Sequence, residues 1–282
     1  MQNFKKYLLL SFAALAFVSC SNNDDPVANN VTLEFNNTFK NNTIVLGDAA
    51  STSATTNTSA GGQIHHFSEL KYVISNIRLI KEDGSEVTYN VNDLDKGATV
   101  IDQSKAASLS YILSNIPSAT YKQIKFGLGI KPEINTLDQV RFPNFYAAAG
   151  ANDTKMHWEW GTGYRFTKIE GFYDVDNKAL SIHTGSTVEG TAPNYTQGVN
   201  AYRDITLNLT TNAIVGGSAP KIKIKADFDK LLSGKTNTIT LGAGNATPSI
   251  HTAANMVLYV DNLGGNGSSD ISGMFSITSV EN

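Results

Sequence analysis

The sequence predicts an all-β fold, a single antiparallel β-sandwich with long loops and at most short helices. About ten short segments alternate apolar and polar side chains, which is the period of a strand with one buried face. The segments between them are rich in Gly, Asn, Ser and Thr, residues that favour turns. No stretch of ten residues shows a helical period, so we expect only short helices.

The clearest predicted strand spans residues 67–80, with an irregularity expected near Ser75 and Asn76. Asp83 and Gly84 then form the turn of a hairpin, because the Asp-Gly pair favours a two-residue hairpin loop. The other strands are predicted, in order, at 31–35, 43–46, 86–91, 111–116, 121–130, 165–173, 180–183, 205–209, 221–225, 256–260 and 274–278.

Three further segments lack a strand period. Residues 48–62 are predicted to be a loop or a disordered segment, and 227–232 a short helical turn before Gly234. Residues 132–156 are expected to hold a short helix or a long loop around 142–149. No linker composition interrupts 64–282, so residues 31–282 are predicted to form one domain.

The N-terminus resembles a bacterial lipoprotein signal ending at Cys20, the only cysteine in the chain. Two lysines precede an apolar run over 7–18, and Ser19 precedes the cysteine. A secretory signal with a chance cysteine and a transmembrane helix are alternatives, but the run is shorter than the roughly 20 residues of a spanning helix. We therefore expect residues 1–19 to be removed, Cys20 to be acylated as a membrane anchor, and 20–30 to form an acidic tether.

Residues 21–26 resemble the acidic export signal of Bacteroidetes lipoproteins, which predicts an outer-membrane protein that is surface-exposed, or otherwise periplasm-facing. The formal net charge is −3 and no run of Lys or Arg occurs, so nucleic-acid binding has no electrostatic support. With Cys20 acylated, no thiol remains for a disulfide, a thiolate metal site or a cysteine nucleophile.

The segment 156–166 carries the most distinctive side chains. Both tryptophans of the protein, Trp158 and Trp160, lie there beside His157, one of only five histidines. On a strand, residues two apart share a face. Packing in an aromatic core is the ordinary interpretation of such a pair.

Several stretches together resemble the MbnP-like family, which occurs widely as bacterial lipoproteins. They are residues 70–79, 121–129, 158–166 with Glu170 and Gly171, 182–185, and 250–251 followed by 273–275. The resemblance implies a copper-binding β-sandwich in which histidines hold the metal. It also implies that a tryptophan is oxidised to kynurenine by a partner dihaem enzyme of the cytochrome c peroxidase type. This chain has no Cys-x-x-Cys-His and cannot be that haem partner.

His157, His183 and His251 are the candidate copper ligands, because strand ends at one rim of a sandwich could bring them together. Each could equally be a surface or satisfied core histidine. His65 and His66 are adjacent and face opposite sides of a strand, so both cannot serve one site. The residues do not decide whether Trp158 or Trp160 is the one modified.

Other functions find less support in the sequence. There is no phosphate-binding glycine loop and no nucleophile elbow, so we expect a protein that is not an enzyme. The alternative is an adhesion or glycan-binding module, with Trp158, Trp160 and Tyr164 as an exposed aromatic platform. A purely structural surface lipoprotein is a third possibility.

Overall fold

The computed structural model describes residues 28–135, 138, 140–150, 155–158, 163–191, 194–234, 236–243, 249–250, 253–265 and 273–282. Within these residues the chain folds into two β-sheets that pack face to face. The strands are β1 (Val31–Phe39), β2 (Asn42–Thr43), β3 (Asn57–Thr58), β4 (Ile64–Lys81), β5 (Glu86–Tyr89), β6 (Thr99–Asp102), β7 (Ser110–Leu113), β8 (Ala119–Leu128), β9 (Arg165–Tyr173), β10 (Lys178–Thr191), β11 (Asn194–Asn200), β12 (Arg203–Val215), β13 (Lys221–Asp227), β14 (Ser249–Ile250) and β15 (Phe275–Glu281).

The helices are short and lie between strands. They are α1 (Leu94–Gly97), α2 (Pro143–Phe145), α3 (Asp229–Leu232) and α4 (Ala253–Leu263), with a 3₁₀ turn at Ala106–Leu109 and a π turn at Tyr146–Gly150. No helix in the described part of the chain is long and apolar enough to cross a membrane. The all-β sandwich with short helices is therefore confirmed.

Strand β4 is the centre of the larger sheet. Among the described residues this sheet has ten strands, with the path β11-β10-β9-β4-β8-β12 and additional pairs of β14 with β10 and of β3, β5 and β6 with β4. The smaller sheet follows β15-β13-β1-β2, with β7 also on β1. Neighbours are antiparallel except for the parallel pairs β1–β13 and β10–β14.

The irregularity predicted in the long strand is present. The register of β4 against β8 shifts between Ser75 and Arg78, and Asn76 has φ of 50°. Asn tolerates this left-handed conformation better than most residues, which explains why it stands there. Its side-chain amide donates to the hydroxyl of Tyr202 at 2.7 Å, so the bulge is tied to the start of β12.

An aromatic core joins the inner faces of the two sheets. Tyr72 and Phe126 of the larger sheet pack edge-on against Phe35 and Phe275 of the smaller one, with ring centroids 5.2–6.4 Å apart. All four side chains are at least 95% buried. Because buried aromatic side chains contribute more area than other residues, this cluster fixes how the sheets stack.

The outer face of the larger sheet is unusual because it buries charge. Glu69 of β4 accepts from the ammonium groups of Lys71 and Lys168, each at 2.6 Å. The two lysines are opposite one another in the β4–β9 register, and Lys168 is also opposite His183 in the β9–β10 register. Cross-strand partners share a face, so His183 lies on this same polar outer surface.

The strand predicted at 256–260 is wrong, since these residues lie in helix α4. A short apolar run fits a buried helix as well as a strand, and periodicity within it does not separate the two. The helical spacing shows over a wider window: Met256, Tyr259, Val260 and Leu263 are at most 1% exposed, at positions i, i+3, i+4 and i+7. The eleven residues of α4 also overturn the expectation that no ten-residue helical segment exists.

Most other predicted elements are confirmed with shifted ends. Strand β9 has the predicted bounds, and helical turns stand within 142–149 and 227–232. At 43–46 only Thr43 belongs to a strand, β2, although the Ile44 amide still donates to the Asn37 carbonyl of β1 at 2.9 Å. Residues 48–62 are a loop apart from β3, and β3, β6, β11 and β14 had no sequence prediction.

Candidate functional site

The described parts of the tryptophan segment, residues 156–158 and 163–165, pair as the two arms of a small hairpin at the start of β9. His157 and Tyr164 pair as an antiparallel bridge, and the Trp158 amide donates to the Gly163 carbonyl at 2.9 Å. The Arg165 amide closes the ladder by donating to the Met156 carbonyl at 2.7 Å. The hairpin therefore delivers Trp158 to the larger sheet along β9.

Trp158 packs directly against His183. The rings meet edge to face with centroids 5.9 Å apart, and Trp158 is only 4% exposed. Gly185, two residues beyond His183 on β10, permits this approach. A Cβ atom at position 185 would lie 2.9 Å from the indole nitrogen of Trp158 and 3.0 Å from the Tyr164 carbonyl oxygen.

A carboxylate orients the imidazole of His183. The Nε2 atom lies 2.5 Å from Oε1 of Glu170 on β9, and the hydroxyl of Ser181 donates to the same oxygen at 3.1 Å. Burial would raise the pKa of Glu170, but the hydrogen bond from His183 and the nearby positive charges outweigh it and hold that pKa below its usual value. Glu170 is thus an ionised acceptor for the buried ring.

Arg165 contacts the ring of Trp158. Its Cζ atom lies 4.4 Å from the centroid of the Trp158 ring, a cation–π distance. One guanidinium nitrogen, Nη1, donates to the carbonyls of Lys155 at 2.7 Å and His157 at 2.6 Å. Arg165 therefore binds the first strand of the hairpin and the indole that this strand carries.

Met256 brings a thioether to the same part of β10. Helix α4 contacts this strand, and the Gly185 amide donates to the Met256 sulfur at 3.4 Å. The methionine is fully buried. Trp158 and Met256 thus both contact Gly185, while Trp158 also contacts His183.

The imidazole of His157 does not join this cluster. It lies between the rings of Tyr146 and Tyr164, at 5.4 Å and 4.9 Å, and its Nδ1 lies 2.9 Å from the Trp158 carbonyl oxygen. Its Nε2 is buried with no hydrogen-bond partner among the described residues.

The remaining candidates fall outside this geometry. His251, Trp160 and Cys20 lie outside the described residues. His65 stacks on Phe39 at 6.0 Å in the core, and His66 lies 4.8 Å from Phe172. No group of three His, Cys, Asp or Glu side chains that could hold a metal occurs in the described part of the chain.

Strand pairing brings Ile250, which precedes His251 in the sequence, to the same strand. In the parallel pair β10–β14, Ile182 is opposite Ile250. His183 and His251 are the next residues of their respective segments.

Glu170, Arg165 and Met256 were not predicted as site residues. Alternation along β10 puts Ser181 and His183 on one face, but their contact with Glu170 depends on the β9–β10 register. Met256 was assigned to a strand, and Arg165 to the ordinary start of β9. Arg165 and Glu170 lie in stretches that carry the family resemblance, but the resemblance did not assign them a role, and the contacts of all three residues with other segments are not encoded locally.

Two surface clefts formed by described residues lie elsewhere. One, of about 430 Å³, is lined by residues that include Asp95, Asp102 and Phe145, and the other, of about 330 Å³, by Lys131, Glu133 and Tyr202. Trp158 and His183 line neither of them. The tryptophan–histidine cluster is a buried site with an edge at Glu170, whose side chain is 28% exposed.

The fold and the cluster define a class of protein: a β-sandwich in which a histidine is oriented by a carboxylate and packs against a tryptophan. Comparison of sequences gives the family: the chain matches the MbnP family model over residues 28–252 and belongs to that family. Among solved structures it is similar to MbnP from Methylosinus trichosporium, with 13% identity, coverage of 78% of this chain and 82% of that chain, and a TM-score of 0.49. A comparison with curated proteins gave no match.

Proposed function

We propose that this protein binds copper through His183, beside the tryptophan segment, and serves in metal acquisition or handling. The observation that carries the proposal is the contact between the buried imidazole of His183, held by Glu170, and the ring of Trp158. Membership of the MbnP family supports a copper-related role that is accessory to catalysis. The protein itself is proposed not to be an enzyme.

The donors around His183 fit copper. Imidazole nitrogen and thioether sulfur are both copper ligands, and a thioether favours Cu(I). Glu170 accepts a hydrogen bond from Nε2 of His183, which is the kind of outer contact that orients metal-binding histidines. Copper bound here would supply a redox-active cation next to an indole.

His251 is proposed as the second imidazole ligand. The support is the parallel pairing of Ile182 with Ile250, directly before the two histidines in the chain. His157 has weaker support as a ligand, since its ring lies between two tyrosines. Met256 is added as a thioether donor because its sulfur lies against Gly185.

We also propose a partner enzyme, from the family resemblance, and a membrane anchor, from the N-terminal sequence. A dihaem peroxidase-like enzyme is proposed to oxidise a tryptophan of the segment to kynurenine, which would then take part in the copper site. Acylation at Cys20 is proposed to anchor the mature chain to the outer membrane, with the sandwich exposed at the surface or otherwise facing the periplasm.

The glycan-binding alternative required exposed aromatic rings, and two of the three candidate rings are buried. Trp158 and Tyr164 are 4% and 1% exposed, so these rings are not available for stacking against a sugar. We therefore retain metal binding as the proposed function.

Anaerobic titration of the mature protein with Cu(I), in competition with a chromogenic chelator, tests the proposal. We expect tight 1:1 binding, weakened at least about tenfold in His183→Ala, because removal of one of few ligands costs more than about 1.4 kcal/mol. His66→Ala is the matched control, since it removes an imidazole that packs on Phe172 instead. Equal affinity in wild type and His183→Ala, with both folded, would reject the site.

A further inference from the structure

Arg165 places a fixed positive charge on the face of a buried indole. Its Cζ atom is 4.4 Å from the centroid of the Trp158 ring. The guanidinium cannot easily move away, because Nη1 is held by the carbonyls of Lys155 and His157. A guanidinium stays protonated at every pH at which proteins remain folded, so the positive charge of Arg165 is permanent.

The same charge that stabilises a neutral indole opposes its oxidation. A neutral indole offers its electron-rich face to the cation. Once the ring has lost an electron it is positively charged, and two like charges then face each other in a site where water screens them weakly. Loss of the electron is therefore harder at Trp158 than at a tryptophan without a cation over its face.

We propose that Arg165 protects Trp158 from one-electron oxidation. In the step concerned, the indole gives one electron to an external one-electron acceptor, which is reduced, and no bond forms or breaks. Protected in this way, Trp158 persists as an unmodified indole that packs against His183.

The inference rests on the proposed function, because protection of a tryptophan is relevant only if a tryptophan of this segment is oxidised at a copper site. It assigns Trp158 to the lining of that site as an unmodified residue. Trp160, the other tryptophan of the sequence, is then the residue left for modification.

The test uses metal-free mature protein in which Trp160→Phe leaves Trp158 as the only tryptophan. Photogenerated tris(bipyridine)ruthenium(III) is the one-electron acceptor, and the rate of loss of Trp158 is followed by fluorescence and peptide mass. Arg165→Gln removes the charge but keeps amide donors for the two carbonyls, whereas Arg165→Lys keeps the charge. Arg141→Gln is the control, since Arg141 lies over Phe142, 5.1 Å from that ring, and not over an indole.

We expect Trp158 to be lost about tenfold faster in Arg165→Gln, with little change in Arg165→Lys or Arg141→Gln. Acrylamide quenching, which reports access to the indole, is expected to stay unchanged in Arg165→Gln. The proposal is overturned if the rate does not rise in folded Arg165→Gln, if Arg165→Lys is oxidised as fast, or if quenching rises in parallel with the rate. Copper plays no part in this measurement, so a failure of metal binding is recognised separately.

Discussion

At the scale of single residues, the protein buries polar groups in two different ways. His183 is buried with an ionised partner, Glu170, at 2.5 Å. His65 is fully buried in the core, and both its ring nitrogens lack a hydrogen-bond partner in the part of the chain that the structure describes. A buried group without partners resists charge, so the fold favours the neutral form of His65.

We predict that His65 makes the fold sensitive to mild acid. Burial lowers its pKa from 6.5 to about 4, although the nearby Asp174 acts in the opposite direction. Between these values the unfolded chain binds a proton that the folded chain does not, so stability falls as the pH drops from 6.5 towards 4. The loss reaches about 3 kcal/mol.

Urea unfolding at several pH values measures this loss. The variant His65→Leu, which cannot bind the proton in either state, should be less pH-dependent than the wild type over this range by that amount. Identical pH dependence in the two proteins would show that His65 is not responsible.

A second prediction at this scale concerns Gly185. Alanine there would place a Cβ atom 3.0 Å from the Tyr164 carbonyl oxygen and 2.9 Å from the Trp158 indole nitrogen. Since backbone must shift to relieve the contact, we expect Gly185→Ala to destabilise the fold by about 1–3 kcal/mol. Gly217→Ala is the control, because the added atom would meet only one methyl group, 4.0 Å away. Equal urea midpoints for both variants would contradict the close packing of Trp158 on β10.

At the scale of elements, the site is assembled by β9, β10, the tryptophan hairpin and α4. Alternation predicted β9 and the first residues of β10, because each strand has one apolar and one polar face. The contacts of Glu170 with His183 and of Gly185 with Met256 depend on register and on the position of a later helix, which local patterns do not encode. The sequence therefore yields His183 and Trp158 as candidates but not the partners around them.

Helix α4 gives the element-scale prediction. Met256→Leu keeps the volume and apolar character of the side chain, so the fold should lose less than about 1.5 kcal/mol. If the thioether is a ligand, Cu(I) affinity falls about tenfold while Cu(II) affinity changes little, because thioethers prefer the softer ion. Met274→Leu, at another buried methionine, is the control. Unchanged Cu(I) affinity in Met256→Leu would show that Met256 contributes only to packing and is not a copper ligand.

At the scale of the whole molecule, composition and alternation were enough to predict the sandwich. About ten alternating segments and turn-rich connections favour an antiparallel β-sandwich. They do not determine which strands pair, and the parallel pairs β1–β13 and β10–β14 have no local signal. Pairing of distant segments depends on the packing of the entire core.

The proposed anchor gives a prediction at this scale. Residues 20–30 would separate the acyl chains from the start of β1 by at most roughly 35–40 Å of extended chain. We expect Cys20→Ser to release the protein from the membrane fraction, because the acyl chains carry the affinity. Fractionation followed by immunoblotting measures this. A Cys20→Ser protein that remains with the membrane would show that something other than a lipid holds it.

The parallel pair β1–β13 also constrains how the chain reaches its final shape. Thr32 is opposite Lys221, roughly 190 residues further along the chain. During synthesis from the N-terminus, the edge of β1 that pairs with β13 stays unpaired until the last quarter of the polypeptide has been made. A holdase chaperone that covers exposed strand edges would therefore protect the nascent chain from aggregation mainly during that interval.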